Sequence, residues 1–333
     1  MPRKARIDAP GAVHHVIVRG IERRKIFHDQ QDRDNWLARL GSILEDTGTP
    51  CFAWALMSNH VHLLLRTGLV PLATVMRRLL TGYAVSFNRR YGRHGQLFQN
   101  RYKSILCQED PYLKELVRYV HLNPLRVGLV KDLRELDHYA YCGHSALMGH
   151  ADRPWQATMY VLKLYATRIR AARKRYREFV KNGIASGRRP ELVGGGLIRS
   201  IGGWQAIKAT RRKGLRIKGD ERILGDSDFV DQVLKAGQDE LERKSAYQRQ
   251  GYDFNWLVGH VAAIMDMTPE AVMKPGRYPK TVRARSILLY WAHRELGMST
   301  VDLARRLKLS QPSVSQSIKR GEGLIISGSY NLL

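Results

Sequence analysis

Two histidines separated by one valine, His60 and His62, lie inside an apolar segment that runs from residue 55 to residue 65. Side chains of an extended strand alternate between its faces, so the two histidines point the same way and Val61 points into the opposite layer. Two imidazoles placed in this way can share a metal ion. The pair is also compatible with ordinary surface or core histidines. The apolar flanks favour a sheet with one working face.

The segments around this pair alternate between strand and helix patterns. Strands are predicted over residues 11–20, 51–57, 60–65 and 97–107, and helices over 29–46, 71–90 and from 111 to just before Pro124. The short connection Ser58–Asn59 implies an antiparallel hairpin. The order β-α-β-β-α-β, with a further helix, predicts an α+β fold, namely a ferredoxin-like split βαβ antiparallel sheet with helices on one face. Many functions use that fold, so the site residues must decide among them.

Tyr119 and Asn123 are four residues apart on the last of these helices, so they lie on one face, one turn apart. Near His60 and His62, the amide oxygen of Asn123 can be a third metal ligand. The phenol of Tyr119 can attack a phosphorus atom that the ion polarises. The alternative is that Tyr119 packs in the core and Asn123 caps the helix. His121 is a less suitable ligand, because a residue two positions away points elsewhere.

The formal net charge of +26, from 56 Lys and Arg against 30 Asp and Glu, indicates a polyanionic partner, of which nucleic acid is the usual one. Four basic residues around the predicted core are candidate DNA contacts: Arg77 and Arg78 on the helix predicted over 71–90, and Arg101 and Lys103 on the strand predicted over 97–107. Phe98 and Tyr102 could stack bases. Part of this charge could equally be a solvated helix face.

Other classes of protein are disfavoured. The three cysteines are far apart, which argues against a zinc knuckle or a disulfide framework. No apolar signal core follows the basic first residues, and no apolar run reaches about eighteen residues, so a membrane protein is not expected. We expect a cytoplasmic, nucleoid-associated protein.

The second half of the chain has a different pattern. Residues 151–250 are predicted to form a basic helical and glycine-rich connecting region, which includes a helix over 155–181 and the loop around Gly194–Gly196. Residues 251–325 are predicted to form a helical DNA-binding domain. Within it, a helix capped by Ser299, a tight turn and a second helix have the layout of a helix-turn-helix. Gln311 and Ser313 could reach base edges, and Lys319 and Arg320 could reach phosphates.

Several short motifs follow one another in a specific order over roughly residues 5–150. They are His14-His15-Val16 to Arg19-Gly20, Ile26-Phe27, Met57-Ser58-Asn59-His60-Val61-His62-Leu63-Leu64, Gly95-Gln96-Leu97-Phe98-Gln99-Asn100-Arg101-Tyr102-Lys103 and Arg118-Tyr119-Val120-His121-Leu122-Asn123-Pro124-Leu125-Arg126. This pattern resembles the HUH single-tyrosine transposases, and within them the REP-associated tyrosine transposase branch. Residues 1–150 are accordingly expected to be the catalytic domain.

The resemblance implies that His60 and His62 are the HUH pair, Tyr119 the nucleophile and Asn123 the third ligand. It implies cleavage and rejoining of single-stranded, hairpin-bearing repeat DNA through a 5′-phosphotyrosine, with Mg²⁺ or Mn²⁺ as cofactor and a homodimer as the assembly. Histidine ligation alone would favour zinc. The absence of a P-loop motif agrees with a strand transfer that needs no external energy source.

The segment 280–320 resembles the DNA-binding domain of the replication initiator DnaA, although it lacks the Gly-Arg-Asp-His-Thr run of that protein. Duplex DNA is therefore an expected second partner. Two other functions compete with a transposase-like nuclease. One is a non-cleaving, sequence-specific DNA-binding regulator that keeps the fold, and the other is an RNA-binding protein. The presence of His60, His62 and Tyr119 together favours the enzyme.

Overall fold

The computed structural model describes residues 11–68, 70–187, 220–226, 228–236, 250–276 and 278–328, together with residues 7, 189, 192, 247, 330 and 332. The predicted loop around Gly194–Gly196 lies outside these residues. The chain forms two compact units, residues 1–233 and 234–333. The first of them includes the described residues 151–187, which belong to the segment that the sequence pattern predicts as a connecting region. The physical reason is a shared core, described below.

The first unit is built on a five-stranded sheet with the order β2-β3-β1-β4-β5. Its elements follow one another as β1 (Val13–Arg19), α1 (Gln30–Thr47), β2 (Cys51–Leu56), β3 (His60–Arg66), α2 (Leu72–Arg90), β4 (Lys103–Cys107) and α3 (Glu109–His121). Strand β1 pairs antiparallel with both β3 and β4, and β2 pairs antiparallel with β3. This is the predicted ferredoxin-like arrangement, to which β5 (Ile223–Leu224) adds a short parallel edge strand.

The two faces of the sheet bury different layers. Val16, Val18, Val61 and Leu63 belong to one core with the apolar sides of α1 and α2. Alternation along the strands sends Val13, Ala55, Leu64 and Ile105 into a second core, which α3 supplies with Leu116, Val117 and Val120. Helix α3 packs against β2 and β3. The predicted helical layer is therefore α1 with α2, and the further helix covers the opposite face, where the two histidines lie.

One predicted boundary is wrong for an identifiable reason, and another is confirmed. The strand predicted over 97–107 is limited to Lys103–Cys107, because Asn100 adopts a left-handed φ of 57° that interrupts an extended chain. Helix α3 does end before Pro124, at His121, but a short helix α4 (Asn123–Arg126) follows it at once. Pro124 is accommodated in the first turn of α4, where its missing N–H is not needed.

The first unit also contains the helices α5 (Leu133–His138), α6 (Gly143–Met148), α7 (Thr158–Lys163) and α8 (Ile169–Asn182). The single helix predicted over 155–181 is therefore two helices. At the break, the carbonyl of Tyr165 accepts a hydrogen bond from the Arg175 side chain at 3.1 Å. Tyr176 and Val180 of α8 are fully buried in the same core as α3, which explains why this segment belongs to the first unit.

The second unit is helical and has its own core. Its helices are α9 (Phe254–Ile264), α10 (Pro269–Met273), α11 (Pro279–Arg294), α12 (Thr300–Leu307) and α13 (Gln311–Ser327). As predicted, Ser299 caps α12, and residues 308–310 form the tight turn before α13. A Cβ on Gly321 would lie 2.0 Å from the Ser286 carbonyl oxygen, so glycine is what lets α13 approach α11 closely.

Within the part of the chain that the structure describes, no helix combines the length and apolarity needed to cross a bilayer.

Candidate active site

His60 and His62 lie on the same face of β3, and each ring is held through its Nδ1 atom. The Nδ1 of His60 is 2.7 Å from Asn59 Oδ1, and the Nδ1 of His62 is 2.8 Å from Nε2 of His15. Because an amide oxygen only accepts, the Nδ1–H of His60 donates to Asn59. In both rings Nε2 is then the atom that remains for a ligand. Such bonds orient metal-binding imidazoles in many proteins.

His15 is a member of this cluster that sequence reasoning missed. It is fully buried on β1, and its ring is stacked on His62 at 5.0 Å between centroids. Alternation along β1 does put His15 on the same face as Ile17 and Arg19. Only the strand register shows its position, because Ile17 pairs with His62 and Arg19 with His60. A metal on His62 Nε2 would require His62 Nδ1–H to donate to His15.

Tyr119 of α3 lies over these histidines within the same chain. Its ring centroid is 5.8 Å from that of His15 and 5.9 Å from that of His62, in edge-on arrangements. The Arg126 guanidinium carbon lies 5.2 Å from the Tyr119 ring centroid. The phenol is therefore at the cluster rather than deep in the helix core, which was the alternative open from the sequence.

Asn123 begins α4 one turn beyond Tyr119, and its amide nitrogen caps the last turn of α3, which was the alternative role left open by the sequence. The amide nitrogen donates to the carbonyl oxygens of Tyr119 at 2.9 Å and Val120 at 3.2 Å. Its oxygen is then the end of the amide that remains for a ligand. A cavity of about 340 Å³ joins these groups, and its lining residues are Ile17, Arg19, His60, His62, Gln99, Asn100, Arg101, Lys103, Tyr119 and Asn123.

Burial keeps both candidate ligands neutral. Burial, with a smaller contribution from the charge of Arg19, lowers the pKa of His60 to about 4. Burial, followed by the neighbouring His15, His60 and Arg19, holds the pKa of His62 well below its usual value. Neutral imidazoles are the form that binds metal. Arg19 was not singled out from the sequence, although its charge contributes to lowering the pKa of both histidines.

The donor set fits a divalent cation. Two imidazole nitrogens and one amide oxygen would come from His60, His62 and Asn123, which leaves positions for phosphate oxygen and water. Among the described residues, no group of three or more His, Cys, Asp or Glu side chains is arranged to hold a metal. Any protein-held ion at this site therefore needs the Asn123 oxygen or substrate oxygens. The identity of the metal stays a prediction.

A buried polar chain holds the back of α3. The hydroxyl of Tyr176 lies 2.7 Å from Nδ1 of His121 and 2.7 Å from Nδ1 of His144. His144 Nε2 lies 2.9 Å from one oxygen of Asp137, and Arg177 donates to the other oxygen at 2.9 Å. His121 points into this chain and away from the candidate site. The argument that it cannot replace Asn123 as a ligand is therefore supported by its position.

The pKa shifts along this row of hydrogen-bonded side chains determine which group donates each hydrogen bond. Burial alone would raise the pKa of Asp137, but hydrogen bonds from His144 and Arg177 outweigh it and lower that pKa. Burial lowers the pKa of His144 and, more strongly, that of His121. A neutral His144 donates from Nε2 to Asp137 and accepts from Tyr176 at Nδ1. Tyr176 then accepts from the Nδ1–H of His121, so the helix that carries Tyr119 is tied to α5, α6 and α8.

The predicted DNA contacts of the first unit divide into two pairs. Arg101 and Lys103 line the cavity beside Tyr119. Arg77 and Arg78 lie on α2, on the other side of the sheet, and Arg78 forms an ion pair with Asp46 at 2.6 Å. The second pair is therefore not brought to the candidate site, because its helix packs on the opposite face.

The two predicted base-stacking aromatics pack elsewhere. Tyr102 is 8% exposed within the core of α1 and α2. The ring of Phe98 lies edge-on to Trp36 at 6.2 Å between centroids. Their side chains serve the core, and Gln99 and Asn100 of the same segment line the cavity instead.

In the second unit, the four predicted DNA contacts are all exposed on α13. Gln311 donates to the Thr300 hydroxyl at 3.0 Å, which links the two helices of the helix-turn-helix layout. Ser313 donates its backbone N–H to the Ser310 cap at 3.3 Å. Lys319 and Arg320 lie two turns further along the helix. Their contact with DNA stays a prediction.

The comparison with protein families gives one match, which covers part of the chain. The sequence profile described as "Transposase IS200 like" matches residues 10–123. That range contains every residue of the cluster described above. No curated protein sequence matches the chain. A solved structure titled "Structure of the REP associates tyrosine transposase bound to a REP hairpin" aligns over 47% of this chain and 92% of its own, with 16% identity and a TM-score of 0.37.

Proposed function

We propose that this chain cuts and rejoins single-stranded DNA with Tyr119 as its nucleophile, and the match of residues 10–123 to the IS200-like transposase profile supports this proposal. The observation that carries the proposal is the meeting of Tyr119, His62 and His15 within 6 Å between ring centroids on one sheet face. Binding alone does not require a phenol placed beside the neutral imidazole of His62, whose Nε2 atom remains for a ligand.

The proposed step is a transesterification. The oxygen of Tyr119 forms a bond to phosphorus, the bond from phosphorus to the 3′ oxygen breaks, and that oxygen leaves as a 3′-hydroxyl once protonated. The 5′ end of the downstream strand stays on Tyr119 as a phosphodiester. Rejoining reverses the exchange, so bond energy is conserved. Mg²⁺ or Mn²⁺ held by His60, His62 and Asn123 would polarise the scissile phosphate.

The protein's own groups orient the substrate. Asn59 and His15 hold the Nδ1 atoms of His60 and His62, and both rings line the same cavity. Arg101 and Lys103, in the cavity wall, are placed to bind phosphate oxygens. The preference for hairpin-bearing repeats rests on the resemblance of the motifs to the REP-associated branch.

The test is a cleavage assay with a hairpin-bearing single strand, labelled at either end, in Mn²⁺ or Mg²⁺. We expect a free 3′-hydroxyl fragment and a protein-linked 5′ fragment. Tyr119→Phe should give neither product while its DNA dissociation constant stays within twofold, because only one hydroxyl is removed. Tight binding by the wild type with no product under any metal would favour the non-cleaving regulator. A preference for RNA strands would favour the RNA-binding alternative.

One chain supplies the whole candidate set, so the first cleavage needs no residue from a second copy. A homodimer, expected from the family because strand exchange pairs two active sites, stays a prediction. Its measurement is the mass of the full chain by light scattering, with and without hairpin DNA.

We further propose that α12 and α13 bind duplex DNA. Lys319→Ala should weaken binding to all duplexes alike and reduce the slope of log K against log salt by about 1, because one phosphate contact is lost. Lys274→Ala, at the exposed end of α10, is the charge-matched control and should leave that slope unchanged. A full chain whose duplex affinity is unaffected by Lys319→Ala would contradict this assignment.

A further inference from the structure

A second cavity adjoins the candidate active site on the far side of His60. Its volume is about 370 Å³, and Arg19, Arg23, Asn59 and His60 line it. Arg19 and His60 line both cavities, whereas Tyr119 lines only the first. The two cavities therefore meet at the candidate metal ligand, and the nucleophile lies on one side of that meeting point.

The chemistry of the second cavity suits an anion. It contains two exposed guanidinium groups and no acidic side chain. Neither Arg19 nor Arg23 forms an ion pair with another described residue. Glu22, the acid nearest in sequence, pairs instead with Arg24 at 2.8 Å. Guanidinium groups are well suited to phosphate, because their N–H groups match two oxygens at once.

The turn that carries Arg23 is held in an uncommon conformation. Glu22 and Arg23 have φ values of 52° and 60°, in the left-handed region that favours glycine. Asn59 donates from its amide nitrogen to the Arg23 carbonyl at 2.9 Å, while its oxygen serves His60. One side chain thus fixes both the turn and the candidate ligand. Strained backbone of this kind is common at binding sites, where the surrounding structure maintains it.

Close packing maintains the same turn. A Cβ on Gly20 would lie 2.1 Å from the Arg24 carbonyl oxygen, so only glycine allows the chain to fold back here. The backbone N–H of Ile21 also donates to the Leu97 carbonyl at 2.9 Å, which attaches the turn to the segment before β4. The position of Arg23 is therefore set by fixed backbone and not by a free loop.

We propose that this second cavity binds the DNA phosphate immediately 5′ of the scissile one, with Arg19 and Arg23 as its ligands. The proposal rests on the proposed function, because displacement at phosphorus places the attacking and leaving oxygens roughly in line. With Tyr119 on one side, the strand that leaves with the 3′-hydroxyl extends to the other side, towards Arg23. The strand bonded to Tyr119 remains over the first cavity.

The test measures dissociation constants of the full chain, in chelator, for single-stranded hairpin oligonucleotides that carry one neutral methylphosphonate at a time. Arg23→Ala should weaken binding to the unmodified strand about tenfold, as loss of a charge-assisted contact does. Neutralising the phosphate directly 5′ of the mapped cleavage site should weaken wild-type binding by a similar factor. Arg23→Ala combined with the methylphosphonate at that position should raise the dissociation constant no more than either change alone. At every other phosphate the two effects should multiply.

The matched control is Arg24→Ala, which removes the same charge from the same turn but from a side chain paired with Glu22. It should bind all the strands as the wild type does. The proposal would be overturned if the effects of Arg23→Ala and of a methylphosphonate multiplied at every phosphate. It would also be overturned if the two effects failed to multiply only at a phosphate on the 3′ side of the cleavage site. A protein that couples Arg23 to one phosphate but never cleaves would refute the proposed function and leave an anion site at Arg23 standing.

Discussion

The buried chain behind α3 allows a sharp prediction from the loss of one oxygen atom. Tyr176→Phe removes two hydrogen bonds of 2.7 Å, to His121 and His144, and leaves both imidazoles short of a partner in a fully buried place. A typical hydrogen bond contributes about 1 kcal/mol net, and a buried polar group left without a partner costs about 1–3 kcal/mol. We expect the first unit to lose about 2–4 kcal/mol of unfolding free energy.

The matched control is Tyr165→Phe. The Tyr165 ring packs against Tyr176 at 5.5 Å between centroids, and its hydroxyl is buried without a hydrogen bond to any described residue. That variant should be neutral or slightly stabilised. The assay measures unfolding in urea, and its readout is the hydrogen exchange of peptides from residues 103–182, which report on the first unit. Equal losses in the two variants would refute the reasoning, because the cost would then come from packing and not from the polar chain.

Two further predictions concern the histidines. Mn²⁺ at one hundred times its dissociation constant should stabilise the folded wild type by about 2.7 kcal/mol and so raise its thermal midpoint. The double variant His60→Ala, His62→Ala should lose this response. The control double variant at two exposed histidines, His138→Ala, His150→Ala, should keep it. Burial lowers the pKa of His14 to about 4, so the unfolded state takes up its proton first and stability falls as the pH drops below about 6.5. Urea unfolding in chelator should show that His14 alone accounts for about 1.3 kcal/mol of the loss between pH 7.5 and pH 5.5, and His14→Gln should remove that share of the slope.

Much of the candidate site could be predicted because it depends on local periodicity. The alternation around Val61 puts His60 and His62 on one face, and the spacing of four puts Tyr119 and Asn123 on another. The strand and helix order then brings the two faces together in a ferredoxin-like sheet. These steps need only the periods of a strand and a helix.

The other members of the site depend on register and packing, which local patterns do not contain. His15 reaches His62 only because β1 pairs with β3 at one particular offset. Arg77 and Arg78 have the right chemistry, but their helix packs on the face away from Tyr119. Residues 158–182 look like a separate basic segment in the sequence, yet Tyr176 and Val180 complete the core beneath α3. The charged residues of this segment dominate its composition, but its few buried residues determine where the segment packs.

The central claim, that Tyr119 is the nucleophile of a single-stranded DNA transesterification, has a direct measurement. The full chain is incubated with a hairpin-bearing single strand and Mn²⁺, the covalent complex is isolated under denaturing conditions, and its nuclease-trimmed tryptic peptides are sequenced by mass spectrometry. The account predicts one modified peptide with the nucleotide on Tyr119, and no covalent complex from Tyr119→Phe. A nucleotide found instead on Tyr112 or Tyr102, or an undiminished complex from Tyr119→Phe, would contradict it.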